Sequence, residues 1–191
     1  YMTSKQTVSY TGLFDDVAAD AWYAPAVDYV KYGRIMNGMG SNRFQPNTTM
    51  TRAMFAQVLY ALEGAPSVRG LSCPFTDAGG SWYTDAVIWA YNAGVVAGVS
   101  PTRFAPNEAL TREQMVTMLY GYAGRGQALS GPDGALAGYQ DQACVSTWAR
   151  EAMAWAVGTG VIAGTSATTL APRKTGTRAE VATVLMRFCE Q

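Results

Sequence analysis

Thr111-Arg112-Glu113-Gln114 decides how this chain folds, because the pattern occurs three times: Thr51-Arg52-Ala53-Met54 and Thr177-Arg178-Ala179-Glu180 are the other copies. Each precedes apolar residues at helical spacing, such as Met115, Leu119 and Tyr122, or Val181, Val184, Leu185 and Phe188. Each therefore predicts a helix start. A threonine followed three residues later by Gln or Glu forms a capping box: its hydroxyl accepts from the N3 amide while the N3 side chain accepts from the cap's own amide. The second and third copies can complete it, whereas Met54 leaves the first with half. The arginine falls at the first helical position, where free amides and the positive end of the helix dipole favour an anion. Three such arginines predict three candidate anion sites.

The repetition extends well beyond these tetrapeptides. Trp22, Trp82 and Trp148 each precede Arg52, Arg112 and Arg178 by 30 residues, and Gly38, Gly98 and Gly164 precede the same arginines by 14. The period between repeats is 60 and then 66 residues, so length changes fall in the linkers. The expected division is an N-terminal leader 1–13, repeat one 14–64, a linker 65–74, repeat two 75–124, a linker 125–138 and repeat three 139–191. Both linkers have loop composition.

Each repeat opens with an aromatic and, two residues on, an aspartate: Phe14 and Asp16, Phe75 and Asp77, Tyr139 and Asp141. The tryptophan then begins a first helix with one apolar face, ending near Gly33, Gly94 or Gly160 as a glycine C-cap would end it. An apolar pair and Gly38, Gly98 or Gly164 predict a short extended piece and a turn. Phe44-Gln45-Pro46, Phe104-Ala105-Pro106 and Leu170-Ala171-Pro172 stop any helix from running through to the arginine helix. Each repeat is thus helix, structured loop, helix. Units this small must share a core, so unfolding in a single transition is expected.

Composition narrows the function. Fourteen basic residues balance fourteen acidic ones in 191 residues, leaving no electrostatic footprint for nucleic acid or an anionic membrane surface. No run approaches the roughly 20 apolar residues of a membrane helix. If the protein is exported, its signal lies outside this sequence. The absence of histidine removes Ser-His-Asp and Cys-His catalysis and the commonest zinc ligand. Cys73, Cys144 and Cys189 lack metal-site spacing, so no metal and no cofactor is expected. In an oxidising compartment Cys144 and Cys189, within one repeat, are the expected disulfide pair. The alternative is three small buried hydrophobes. A glycosidase would need two carboxylates roughly 5–10 Å apart across a cleft, and nothing marks such a pair, so no enzyme is expected.

In these features the chain resembles the S-layer homology modules, across all three repeats from Phe14 to the C-terminus. The aromatic-x-Asp opening carries the resemblance, with the tryptophan of the first helix and the segments Gly94 to Gly98 and Gly160 to Gly164. Phe44 to Asn47, Phe104 to Asn107 and the Thr-Arg helix starts complete it. The resemblance implies a mainly α fold, three helix-loop-helix modules in a pseudo-threefold arrangement with a central helical bundle, three prongs and grooves between modules. It also implies non-covalent anchoring of exported proteins at the bacterial cell surface, through a secondary cell-wall polysaccharide often bearing a ketal-linked pyruvate. The chain would be a monomeric module of a larger protein. The implied ligand residues are Arg52, Arg112, Arg178, Trp22, Trp82, Trp148, Gly38, Gly98, Gly164, Asp16, Asp77 and Asp141. Arginine clamps a carboxylate through two parallel hydrogen bonds, aromatics offer flat faces to sugars, and glycine allows close approach.

Each residue type also has a structural alternative. The tryptophans, taken alone, are expected in the core, the aspartates at loop caps or paired with an arginine, and the glycines at special backbone conformations. The arginines gain nothing for a helix at N1, which favours a ligand over the rival, an inter-module salt bridge. A protein-interaction or self-assembly module of a surface layer is the alternative function. Repeat one has Arg34 in place of Gly94 and Gly160, and repeat three has Arg173 for Asn47 and Asn107, with Gly176 before its threonine. Only repeat two keeps every feature, so the groove of Arg112 is the expected principal site.

Overall fold

The computed structural model describes residues 12–125 and 129–191, so the expected leader lies almost wholly outside the described residues. Six α-helices carry the fold: α1 Ala24–Tyr32, α2 Arg52–Leu62, α3 Thr84–Asn92, α4 Arg112–Gly124, α5 Arg150–Gly158 and α6 Arg178–Cys189. Two 3-10 turns, Gln142–Cys144 and Thr147–Ala149, precede α5. Among the described residues, β pairing amounts to isolated bridges. The architecture is mainly α.

The three second helices start as their sequences predict. Thr111 and Thr177 form complete capping boxes with Gln114 and Glu180, while Thr51 only accepts from the Met54 amide. The first helices begin two residues later than expected, at Ala24, Thr84 and Arg150, leaving the tryptophans in the preceding turn. α3 and α5 end before left-handed Gly94 and Gly160, but after α1 the left-handed residue is Arg34, at φ 56°, and not Gly33.

The chain divides into two compact units, Tyr1–Thr48 with Thr177–Gln191 and Thr49–Gly176, and this boundary cuts through repeats one and three. In the first unit α1 packs on α6, burying Val27 and Val30 on one helix and Val181, Val184 and Leu185 on the other. In the second, α2 packs on α3 and on α4, and α4 packs on α5. Three of these pairs, α1 with α6, α2 with α3 and α4 with α5, join the second helix of one repeat to the first helix of another, while α2 and α4 are both second helices. α3 and α4, of the same repeat, meet through the Trp89–Tyr122 ring contact and not by close backbone approach. The helix-loop-helix repeat of the sequence is therefore not the packing unit.

The core tryptophans are Trp89 and Trp155. Trp89 lies between Tyr60 of α2 and Tyr122 of α4, with ring centroids 5.6 and 6.2 Å away, and Trp155 meets Tyr120 edge-on at 5.7 Å. Trp22, Trp82 and Trp148 are 64%, 62% and 58% exposed, which overturns their expected core role. Their place in a turn before the helix, rather than on its packed face, is the physical reason. The second linker is docked: the Tyr120 hydroxyl donates to the Leu129 carbonyl and accepts from its amide, and Gly131 lies so close to α5 that a Cβ would sit 2.5 Å from the Trp155 nitrogen. The two cysteines of the expected bridge fall in different units. All three thiols are free in this structure, with Cys144 and Cys189 exposed, so the buried alternative fails.

Asp28 on α1 is 6% exposed, and its Oδ2 has no hydrogen-bond partner among the described residues. Ile88 and Ala154 stand at the corresponding positions of the other repeats. Burial pushes its carboxyl pKa up. The cost of the ionised form is therefore present at neutral pH and vanishes as pH falls below the folded pKa.

Two outcomes follow from this packing. Asp28→Ile should raise stability by about 1 kcal/mol at pH 7, with a smaller gain near pH 4, as measured by urea denaturation at the two pH values. A fragment of residues 75–124 loses α2 and α5, the partners of its own helices, and should be largely unfolded by far-UV circular dichroism. Residues 49–176 should melt cooperatively. A helical, cooperatively melting 75–124 fragment contradicts the interlocked packing.

Candidate functional site

The segments before the arginine helices meet one another through their backbones. The Met50 amide donates to the Gly176 carbonyl at 3.0 Å, Gly176 to Leu110 at 2.9 Å and Leu110 to Met50 at 2.8 Å, closing a ring of three hydrogen bonds with one residue from each repeat. Gly176, a departure in sequence, forms the same two bonds as its counterparts because the ring uses only backbone. The first two helical amides are likewise taken. Arg52 and Ala53 donate to Glu108 and Pro106, Arg112 and Glu113 to Lys174 and Pro172, and Arg178 and Ala179 to Thr48 and Pro46. With the third amide on the threonine hydroxyl, the helix starts offer no free N1–N3 amide to an anion. An anion at any of the three expected arginine sites would therefore be held by the guanidinium and not by these amides.

The aspartates fix the loops that receive these bonds. Asp77 accepts from the Phe104 and Ala105 amides, both at 2.9 Å, Asp16 from Phe44 and Gln45, and Asp141 from Leu170 and Ala171, all four at 2.8 Å. Each carboxylate thereby clamps a residue with φ between 50° and 59°, Gln45, Ala105 or Ala171, none of them glycine. A left-handed conformation costs a non-glycine residue roughly 1–2 kcal/mol, and two charge-assisted bonds offset it. Asp16, Asp77 and Asp141 thus use both carboxylate oxygens on the backbone.

Burial raises the Asp77 carboxyl pKa, but the Phe104 and Ala105 amides and Arg103 outweigh it and hold it below the ordinary value. The Leu170 amide does most to hold Asp141 low, followed by Ala171, against a burial contribution. A depressed folded pKa contributes stability that is present above the unfolded value, about 3.9, and is lost as pH falls through the folded one.

The loop carbonyls so positioned accept from the arginines. Nε donates from Arg52 to Phe104 at 2.8 Å, from Arg112 to Leu170 at 3.0 Å and from Arg178 to Phe44 at 2.7 Å. Arg52 and Arg178 also lie over the rings of Phe104 and Phe44, 4.8 and 4.5 Å from the centroids. All three arginines are 5% exposed. Burial lowers the pKa of Arg52, opposed by Glu108 and Asp77, and that of Arg178, opposed by Asp16. Both stay charged, since a guanidinium is not deprotonated in proteins. Among the described residues Arg52 and Arg178 form no salt bridge to an aspartate, and their acceptors are carbonyls on the loop that the aspartate holds.

The three arginines then diverge. Nη2 of Arg112 donates to Ala163 at 2.7 Å and Nη2 of Arg178 to Asn37 at 2.6 Å. Arg52 makes no hydrogen bond through either terminal nitrogen among the described residues, and it lines a cavity of about 490 Å³. The wall of this cavity comes from all three repeats. Val95 to Val99 form one side, Gln114, Thr117 and Met118 of α4 another, and Trp148 of repeat three the rim. Among the described residues, Arg52 is thus the arginine with no acceptor on either terminal nitrogen.

Gly98, with φ 80°, lines the cavity and has no room for a side chain, since a Cβ would collide with the Phe75 ring. At Gly38 and Gly164 a Cβ would lie 2.7 Å from the rings of Phe14 and Tyr139. The opening aromatics together with the carbonyls of the following turn thus leave no room for a side chain at any of the three glycines. Sequence reasoning missed Gln114 and Thr117 as lining residues, although Gln114 was visible as a capping-box residue.

Three helical repeats joined through their helix starts, with one cavity walled by all of them, make a repeat-built binding module. The chain belongs to the S-layer homology family, whose domain profile matches residues 13–56, 74–116 and 139–182. S-layer homology domains are cell-wall anchoring modules, so this chain is a surface-located binding module and not an enzyme. It is 30% identical over 95% of its length to an amylopullulanase of Thermoanaerobacterium thermosulfurigenes, of which it covers 10%. It is 32% identical over 82% of its length to a surface-layer 125 kDa protein of Lysinibacillus sphaericus, covering 13%. An S-layer protein of Bacillus thuringiensis subsp. finitimus is 27% identical over 93% of the chain, which covers 21% of that protein. The chain thus spans a fifth or less of most of these relatives' length, and no described helix is long and apolar enough to cross a membrane.

Two measurements check the aspartate clamp. Asp77→Ala should destabilise the protein by about 2 kcal/mol and Asp77→Asn by roughly half as much, in urea titrations at pH 7. The wild type should lose stability as pH falls below about 4, and Asp77→Ala should lose less over the same range. An unchanged pH profile in the variant contradicts the clamp.

Proposed function

We propose that the chain anchors a larger exported protein, as a monomeric module, by gripping an acidic substituent of a secondary cell-wall polysaccharide in the Arg52 cavity. A pyruvate ketal fits that role. The observation that carries the proposal is a charged arginine, 5% exposed, that lines a cavity of about 490 Å³ and whose terminal nitrogens have no acceptor among the described residues. The Phe104 carbonyl takes Nε, and a ligand carboxylate would supply acceptors for the terminal nitrogens in a bidentate geometry. Val95, Val96 and Met118 offer apolar wall to a methyl group or sugar carbons, and the exposed indole of Trp148 offers a stacking face. Trp22 and Trp82, equally exposed, are proposed to stack on the same polymer. Arg112 and Arg178 serve first as braces between repeats.

The test is sedimentation of the protein with cell-wall sacculi whose polysaccharide carries pyruvate ketals. Arg52→Ala should weaken binding roughly tenfold to a hundredfold, and Arg52→Lys should also bind poorly because the fork is lost. Arg112→Ala should instead lower the melting temperature, since it removes two inter-repeat hydrogen bonds. Depyruvylated sacculi bound as tightly as native ones would refute the carboxylate clamp.

A further inference from the structure

Resting on that binding site, we infer that Gln114 is a specificity-determining residue of the Arg52 cavity: it gives the ligand a neutral hydrogen-bond donor where a glutamate would place a negative charge. Three observations support this. Gln114 lines the cavity together with Arg52 and Trp148. Its Oε1 accepts from the Thr111 amide at 3.1 Å in the capping box, and this bond fixes which end of the amide is oxygen. The Nε2 group has no partner among the described residues, so a donor is what this side chain has left for a ligand.

The same helical position is acidic in repeat three. Glu180 closes the α6 capping box with the geometry Gln114 uses, its carboxylate accepting from Thr177 at 3.2 Å. A glutamate at position 114 would thus cap α4 equally well. Helix capping does not require the amide. What the amide changes is the cavity, where Arg52 is the charged group of the lining and a carboxylate would compete with an anionic ligand for it. Met54, at the start of α2 in repeat one, supplies neither a donor nor a charge.

The experiment compares wild type, Gln114→Glu and Gln114→Met on pyruvylated sacculi, with melting temperatures recorded alongside. Gln114→Glu should keep the wild-type melting temperature and bind about tenfold or more weakly. Depyruvylated sacculi should show no such difference between the two proteins. Gln114→Met, which removes the donor without adding charge, should fall between them. Gln114→Glu binding as tightly as wild type overturns the inference and leaves the Arg52 site standing. A loss of binding that tracks a fall in melting temperature in both variants also overturns it, by making the effect structural. Wild type that does not bind the sacculi overturns the proposed function and this inference with it.

Discussion

The backbone amides at the starts of three helices need acceptors, and the rest of this structure depends on where they find them. An α-helix leaves its first amides without internal partners. Here one is met locally by the threonine hydroxyl, and the first two are met by carbonyls of a different repeat. A repeat cut from its neighbours would leave those donors to water and its first helix without its packing partner. The ring of Met50, Gly176 and Leu110 adds a second set of backbone bonds of the same kind. Because these bonds need no side chain, the repeats can diverge to methionine, leucine and glycine at the junction.

This arrangement gives the arginine two roles that the sequence presents as one. At N1 it opposes the helix dipole, and what it gains in return is a carbonyl on a loop held left-handed by an aspartate clamp. The chain of dependence runs from Asp77 to the Phe104 amide, through the Phe104 carbonyl to Arg52 Nε. With Nε fixed, the outer nitrogens of the guanidinium have a defined place. In Arg112 and Arg178 an outer nitrogen bonds a further carbonyl, while in Arg52 neither does. The binding proposed for one groove thus rests on a structural brace whose outer end has no acceptor among the described residues.

Much of this was legible in the sequence, and the boundary is physical. Capping boxes, the proline stops and the spacing of Trp, Gly and Arg are local or periodic, so Thr111 with Gln114 and Thr177 with Glu180 could be assigned from residues three apart. Choice of helix partner is not local: nothing in Thr84–Asn92 marks it as the neighbour of α2. The exposed tryptophans were misjudged for a related reason. Bulk alone placed Trp22, Trp82 and Trp148 in the core, but a start two residues later puts them in the turn, and Trp89 and Trp155 fill the interior. The difference in bonding between Arg112 and Arg52 was beyond the sequence, since it turns on a single carbonyl opposite the guanidinium. Repeat two does keep every motif, and it contributes most of the cavity wall, but the arginine comes from repeat one.

Native-state hydrogen exchange at the Met50, Leu110 and Gly176 amides tests most directly whether the helix-start network holds the repeats together. If it does, these three amides exchange only through global unfolding, with protection equal to that of the buried amides of α2 and α4. Exchange at the rate of the exposed loops, while the helices remain protected, would contradict the account.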